Sequence, residues 1–360
     1  MPKLKTTSRL QFLDWVRGLG AIIMLQGHTY HSFLRQDLRG SSTFILSDFL
    51  GGLPSAVFLF LTGVTLAFLM DSRERQGAPA SARVMASLRR AGYILGLGFL
   101  VRIQLWIFAF PGSQWTDMLR VDVLNCMGFA LAVMAVMAVF RTVERVRLCA
   151  ILGIAIAAAS PLASQIDWSG VHPLIRSYIV PDYASFGFFP WGSFVAFGVS
   201  LGSLIRILSQ EQLERAMQWI AITACVLIVG SQQLSELPSL YTKSEFWLNS
   251  PFMILIKMGA ILLMVSFAYL WNKHTAEKWS WVRQLGTTSL LVYWVHLELI
   301  YGRWLGAWHS NLGIGQCTVG AVAIIALMVT LSSARTHYPQ WRRFLSSARP
   351  QAEPARVSGD

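Results

Sequence analysis

The chain has 360 residues, of which 54% are hydrophobic and only 13% charged, with a formal net charge of +12. Soluble domains carry about 25% charged residues, so a single soluble globule of this size is excluded. The excess of Lys and Arg does not point to nucleic acid: the basic residues sit between apolar runs, where loops meet lipid headgroups.

The expected class is an all-α, polytopic transmembrane helical bundle of about ten spans. In chain order the apolar runs cover residues 10–33, 53–70, 91–110, 122–140, 148–164, 184–205, 217–234, 251–271, 285–307 and 314–331. A crossing helix needs about 20 such residues. Ten crossings put both termini on one side. That side collects twenty-one Lys and Arg residues and the other side six, so the positive-inside rule predicts cytoplasmic termini. Residues 1–335 read as one transmembrane domain. Residues 336–360 read as a cytoplasmic tail, partly disordered beyond Arg349, where Pro, Ala and Ser are frequent. The first run starts basic, like a secretory signal, but Asp14, Arg17 and His28 interrupt it and no small-residue cleavage site follows; it reads as a retained helix. The longest loops, 35–52, 71–90 and 165–183, are too short for a soluble domain, so any chemistry must be built among the helices. Cys126, Cys149, Cys225 and Cys317 lie within apolar runs at wide spacing and form neither a disulfide framework nor a metal pattern; no metal is expected.

Ionisable side chains inside the apolar phase each ask for a reason. In the first run, Asp14 and Arg17 are three apart and share a face. Arg17 and His28 are eleven apart, which leaves about 20° of offset after three turns and about 16 Å along the axis. The three residues form one stripe, expected to face the bundle. Arginine grips phosphate through forked, charge-assisted hydrogen bonds. Histidine accepts a proton near neutral pH. The gap between them matches an extended pantetheine arm, with coenzyme A phosphates at one end and a thioester at the other. Spacing alone leaves a second reading open, an interfacial Asp14–Arg17 ion pair and a hydrogen-bonded core histidine.

The ninth run carries Tyr293 and His296 on one face, with Glu298 rotated by about 200° toward another partner. His296 can equally be a core histidine that satisfies a carbonyl. Arg102, near the middle of the third run, is too deep to snorkel and is read as binding an anion or pairing with a carboxylate. Lys257 can snorkel and reads as structural. Asp48, Asp122 and Asn125 are placed at outer helix starts, where capping is the default. Arg89 and Arg90 follow a basic loop and read as topogenic charges, with a place at a cytoplasmic mouth as the alternative.

These residues fall in an ordered pattern. Arg9, Leu10, Gln11, Phe12, Leu13, Asp14, Trp15, Val16, Arg17, Gly18 and Leu19 are followed by His28. The second run holds Pro54-Ser55-Ala56-Val57-Phe58-Leu59-Phe60-Leu61-Thr62-Gly63. Further on come Asp122-Val123-Leu124-Asn125-Cys126-Met127-Gly128 and Phe189-Pro190-Trp191-Gly192 with Gly198 and Gly202. The last is Gly286-Thr287-Thr288-Ser289-Leu290-Leu291-Val292-Tyr293 with His296. The pattern resembles the heparan-α-glucosaminide N-acetyltransferase catalytic-domain family, within a wider group that includes the membrane acyltransferase-3 proteins. In that group a basic residue, ten others and a histidine mark the first helix, as Arg17 and His28 do here.

The resemblance implies a membrane O- or N-acyltransferase that moves an acyl group, expected to be acetyl, from cytosolic acyl-CoA to a sugar or envelope glycan across the bacterial cytoplasmic (inner) membrane. It implies His28 and His296 as catalytic residues, and Arg17, Asp14 and Arg102 at the acyl-CoA site. Asp48, Asp122, Asn125, Tyr293 and Glu298 are the expected acceptor contacts. The lysosomal members carry asparagine where His28 stands and have a luminal domain not found here, so heparan itself is not the expected acceptor. Expected partners are acyl-CoA, the glycan acceptor and membrane lipids, not nucleic acid; a homodimer stays open. The alternative is a transporter of a small polar solute with Arg17, Arg102 and His296 along its path. Paired broken helices or inverted repeats would support it, and neither is visible in the sequence.

Overall fold

The computed structural model describes residues 10–180, 186–242, 244–275 and 279–347. Arg9, Lys3, Lys5, Lys243, Lys278 and the tail beyond Arg349 lie outside them. Among the described residues the chain folds into thirteen α-helices joined by turns and short 3-10 segments, without a strand. The helices are α1 (Gln11–Phe33), α2 (Ser42–Gly51), α3 (Pro54–Arg75), α4 (Ala80–Ala109), α5 (Val123–Met134), α6 (Thr142–Gln165) and α7 (Pro173–Ile179). They continue as α8 (Phe188–Ile207), α9 (Gln210–Ser235), α10 (Pro251–Thr275), α11 (Trp281–Thr287), α12 (Ser289–Tyr301) and α13 (Ile314–Ser347).

Every expected apolar run is helical, and eight helical segments among the described residues are long and apolar enough to cross a membrane. The other two expected crossings differ for a physical reason. α1 has 23 residues, about 34 Å at 1.5 Å per residue, but its polar stripe lowers its hydropathy. The ninth run is broken at Thr288 into α11 and α12, followed by a 3-10 turn at Arg303–Trp308.

Two loops turn out to be largely helix. The segment read as loop 35–52 contains α2, which folds back beside α1: Gln26 Nε2 donates to Ser47 Oγ at 2.6 Å. α2 and α3 together make one crossing broken at residues 52–53. The segment read as loop 71–90 shrinks to residues 76–79, because α3 continues to Arg75 and α4 begins at Ala80. Hydropathy marks where a helix meets lipid, not where its hydrogen-bond ladder stops.

Two close crossings set the frame. α3 and α8 meet at Gly63 and Gly198; a Cβ on Gly198 would lie 2.0 Å from the Phe60 carbonyl oxygen. α1 and α11 meet at Gly18 and Gly286, where a Cβ on Gly286 would lie 1.7 Å from the Asp14 carbonyl oxygen. Small residues let backbones approach where lipid gives no hydrophobic drive between helices. All four glycines (Gly18, Gly63, Gly198 and Gly286) belong to the ordered motifs, so those motifs encode packing as well as chemistry. Outward faces stay apolar, as exposed Ile151, Trp219, Val226 and Val319 show.

The end of the bundle where α1 begins is tied by a buried ionic cluster. Arg145, fully buried, donates to Glu74 at 3.1 Å and to the Phe140 carbonyl at 2.7 Å. Arg206 donates to the buried Asp71 at 2.6 Å. Thr142 Oγ1 joins both carboxylates, at 2.9 Å from Glu74 and 3.2 Å from Asp71. The cluster links α3, α6 and α8 at one level.

Candidate active site

A cavity of about 900 Å³ runs through the bundle. Its wall is built from α1, α3, α4, α5 and the α11–α12 break. On α4 its wall extends from Arg90 to Leu105, about 22 Å along the axis. On α1 both Arg17 and His28 face it, as their common stripe requires.

The end near the start of α1 is strongly basic. Arg17, Arg90 and Arg335 line it, with Gly286, Thr287 and Thr288 and the first turn of α12 from Ser289 to Leu291. Gly18 packs on Val282 and Gly286 on Asp14, so the α11–α12 break sits level with the first turns of α1. The N–H groups of a first helical turn have no intrahelical acceptor and favour anions. Arg17 is held by Asp14, Nη1 to Oδ1 at 2.6 Å, and among the described residues its Nε and Nη2 have no protein partner.

At mid-depth His28 Nδ1 lies 2.9 Å from His296 Nε2, and the two rings meet edge to edge, their planes 20° apart and their centroids 5.1 Å apart. His296 Nδ1 lies 2.9 Å from the Val292 carbonyl oxygen. His28 lines the cavity; His296 is fully buried behind it. Tyr301 stands edge-on to the His28 ring at 5.4 Å and also lines the cavity. The pairing joins residues 268 apart in sequence and brings the two expected histidines into one unit.

Toward the opposite end the wall carries Arg102, Arg120, Asp122, Tyr293 and Tyr301. Among the described residues Arg102 meets no carboxylate; its Nε and Nη2 donate to the Asp117 carbonyl at 3.0 and 2.5 Å. Asp122 caps α5, accepting from the Val123 N–H at 2.7 Å. Buried Asn125 completes that cap by accepting from the Asp122 N–H at 3.4 Å, and its amide reaches the Tyr178 hydroxyl at 3.5 Å. Five arginines thus line the cavity against one carboxylate, Asp122.

Not every expected site residue reaches the cavity. Asp48 sits in the last turn of α2 instead of at a helix start, because the stretch before it is helical, and it is off the cavity wall. Asn125 and Glu298 are also off the wall. Both Glu298 carboxylate oxygens are buried without a hydrogen-bond partner among the described residues. Lys257 extends over the Trp191 ring, 5.3 Å from its centroid, a cation–π contact within the protein. Sequence reasoning passed over Arg120 and Arg335, counting them only as topogenic charge, and ranked a topogenic role for Arg90 above a place at a cytoplasmic mouth. Their role at the wall depends on where α4, the 3-10 turn Trp115–Leu119 and α13 are packed. The Gly-Thr-Thr-Ser run at 286–289 was the one local signal of a helix break. Among the described residues no group of three His, Cys, Asp or Glu side chains could hold a metal ion.

Fold and site together define a polytopic membrane protein with a basic, through-bundle cavity and a histidine pair at its middle. The family model described as heparan-alpha-glucosaminide N-acetyltransferase, catalytic, matches residues 9–236, well over half of the chain, and the chain belongs to that family. It is therefore a membrane acetyltransferase by family. Among individually curated proteins none matches it.

Proposed function

We propose that the chain transfers an acetyl or other acyl group from cytosolic acyl-CoA to a hydroxyl or amine of a sugar or envelope glycan on the far side of the bacterial inner membrane. The observation that carries this reading is the single cavity that joins a basic mouth to His28. In this reading both termini and the Arg17 mouth face the cytoplasm, in keeping with the basic asymmetry of the loops. Arg17, oriented by Asp14, grips donor phosphate together with Arg90, Arg335 and the first turn of α12. The pantetheine arm follows the α1 wall, about 16 Å from Arg17 to His28.

At His28 the acceptor enters from the opposite end, between Tyr293, Tyr301, Arg102 and Asp122. The acceptor oxygen or nitrogen attacks the thioester carbonyl carbon while His28 takes its proton. The carbon–sulfur bond then breaks, and the coenzyme A thiolate leaves and recovers that proton from His28. One base suffices for such a direct transfer. Asn125 supports the site through the α5 cap; Asp48 and Glu298 take no part in this scheme. The spacing of Arg17 and His28 agrees with the wider acyltransferase-3-like group.

Solute transport is the second reading, and the two broken crossings, α2–α3 and α11–α12, favour it because such breaks line transport paths. Family membership weighs for transfer. Purified protein in nanodiscs, given acetyl-CoA labelled in the acetyl group and total envelope glycans, tests the two. Label appearing in glycan with matching thiol release supports transfer; intact acetyl-CoA under all conditions rejects it.

A further inference from the structure

We infer that His296 is a positioning residue that fixes the tautomer of His28, so that the lone pair this ring presents is on Nε2. The functional consequence rests on the acyl-transfer reading; the tautomer itself does not.

The Val292 carbonyl fixes the first hydrogen of the pair. A carbonyl oxygen can only accept, so the His296 nitrogen 2.9 Å from it, Nδ1, must carry the hydrogen. A neutral imidazole has one N–H and one lone pair, so Nε2 of His296 is then an acceptor. That acceptor lies 2.9 Å from His28 Nδ1, which must therefore be the donor. The hydrogen of neutral His28 is thereby assigned to Nδ1, and its Nε2 is bare. Of the two rings His28 reaches the cavity, since it lines the wall and His296 does not.

The division of labour follows. When His28 Nε2 takes a proton from the acceptor, the ring becomes an imidazolium whose Nδ1–H is already held by His296. The second histidine thus does for His28 what a buried carboxylate does for the histidine of a serine hydrolase triad: it holds tautomer and orientation and takes no proton itself. The support reaches back to a backbone carbonyl one helical turn away on α12, so the ring of His296 is held at both nitrogens. Fixing a tautomer matters because the wrong one presents an N–H, which cannot accept a proton.

The test uses full-length protein with ¹⁵N-labelled histidine in nanodiscs. Comparison of the wild type with His28→Gln assigns the two His28 ring nitrogens in the ¹⁵N spectrum. The expected result is a protonated Nδ1 and an unprotonated Nε2 on His28, and in His296→Phe a mixture of the two tautomers. Acetyl-CoA turnover in His296→Phe should fall roughly ten- to a hundredfold in kcat, with KM for acetyl-CoA little changed, as loss of a tautomer-fixing partner rather than of the base. A wild-type spectrum with His28 protonated at Nε2 and bare at Nδ1 overturns the inference, whatever the activity. So does a His296→Phe protein with unaltered His28 tautomer and unaltered kcat. If the spectrum is as expected but the wild type turns over no acetyl-CoA with any acceptor, the tautomer lock stands and the acyl-transfer reading fails.

Discussion

Replacing Arg17 by alanine should weaken acyl-CoA binding more than it slows turnover of bound donor. A hydrogen bond to a charged group is worth about 1.5–3 kcal/mol, and its loss would raise Kd by roughly ten- to 150-fold. The lower end applies here. The Arg17 side chain is 24% exposed, so solvent screens part of the contact, and its Nη1 is already committed to Asp14 at 2.6 Å. Arg90 and Arg335 stay in the same mouth and retain part of the phosphate field. About tenfold is therefore expected, read by calorimetric titration of coenzyme A into purified protein. Arg17→Lys should recover only part of the loss, since an ammonium cannot make the forked contact. Titration with pantetheine, which lacks the nucleotide and its phosphates, is the control and should show no dependence on Arg17. An unchanged affinity for coenzyme A in Arg17→Ala would remove the residue from the donor site and with it the assignment of the basic mouth.

The remaining predictions concern the frame, the orientation and a neighbouring histidine. Arg145→Ala removes the fully buried partner of Glu74, which is 27% exposed and keeps Arg83 at 3.5 Å, so the cost in unfolding stability should be about 1–3 kcal/mol, below that of a buried charge left unpaired. Thermal unfolding in detergent reads it, and a melting point equal to wild type would contradict the placement of that cluster. Gly198→Ala puts a Cβ 2.0 Å from the Phe60 carbonyl oxygen, so α3 and α8 must separate, at about 1–3 kcal/mol or more for such overpacking. An unaffected Gly198→Ala melting point would mean that the crossing is looser than described. Reporter fusions after Arg349 should report the cytoplasm; activity of the opposite-side reporter there would reverse the proposed orientation. His31→Ala, one turn beyond His28 and exposed, should change acyl transfer by less than His28→Ala does. An equal loss would move the base to His31.

Much of this was legible in the sequence, where a local physical signal existed. Lipid demands long apolar helices, so the runs and their order could be read directly, and the eleven-residue spacing put Arg17 and His28 on one stripe. What could not be read depended on packing between distant segments. α2 is apolar but only ten residues long, too short to cross alone, and it follows a polar turn, so it does not stand out as a run of its own. α4 starts eleven residues before its apolar run, carrying Arg83, Arg89 and Arg90 on helix instead of loop. The break at Thr288 leaves only a Gly-Thr-Thr-Ser trace. Tyr293 and His296 share a helix face, yet nothing local says that the His296 ring meets His28, whereas Asp48 resembled a cap until α2 supplied the turns before it. Arg335 reaches the cavity only because α13 returns beside α1. Charged residues in loops and at helix ends looked alike from sequence; burial separates Arg145, a structural tie, from Arg90, a cavity residue.

The central claim is that His28 is the base at which donor and acceptor meet, and the direct measurement is acetyl transfer by purified His28→Gln protein in nanodiscs, with coenzyme A affinity measured on the same sample. The account predicts normal folding and donor binding, with transfer reduced by roughly 10²–10⁴-fold, the range that a positioned general base contributes. The wild-type rate should also decline toward acidic pH, because a protonated imidazole no longer accepts a proton. A His28→Gln protein that binds coenzyme A and transfers acetyl at near the wild-type rate would contradict the account.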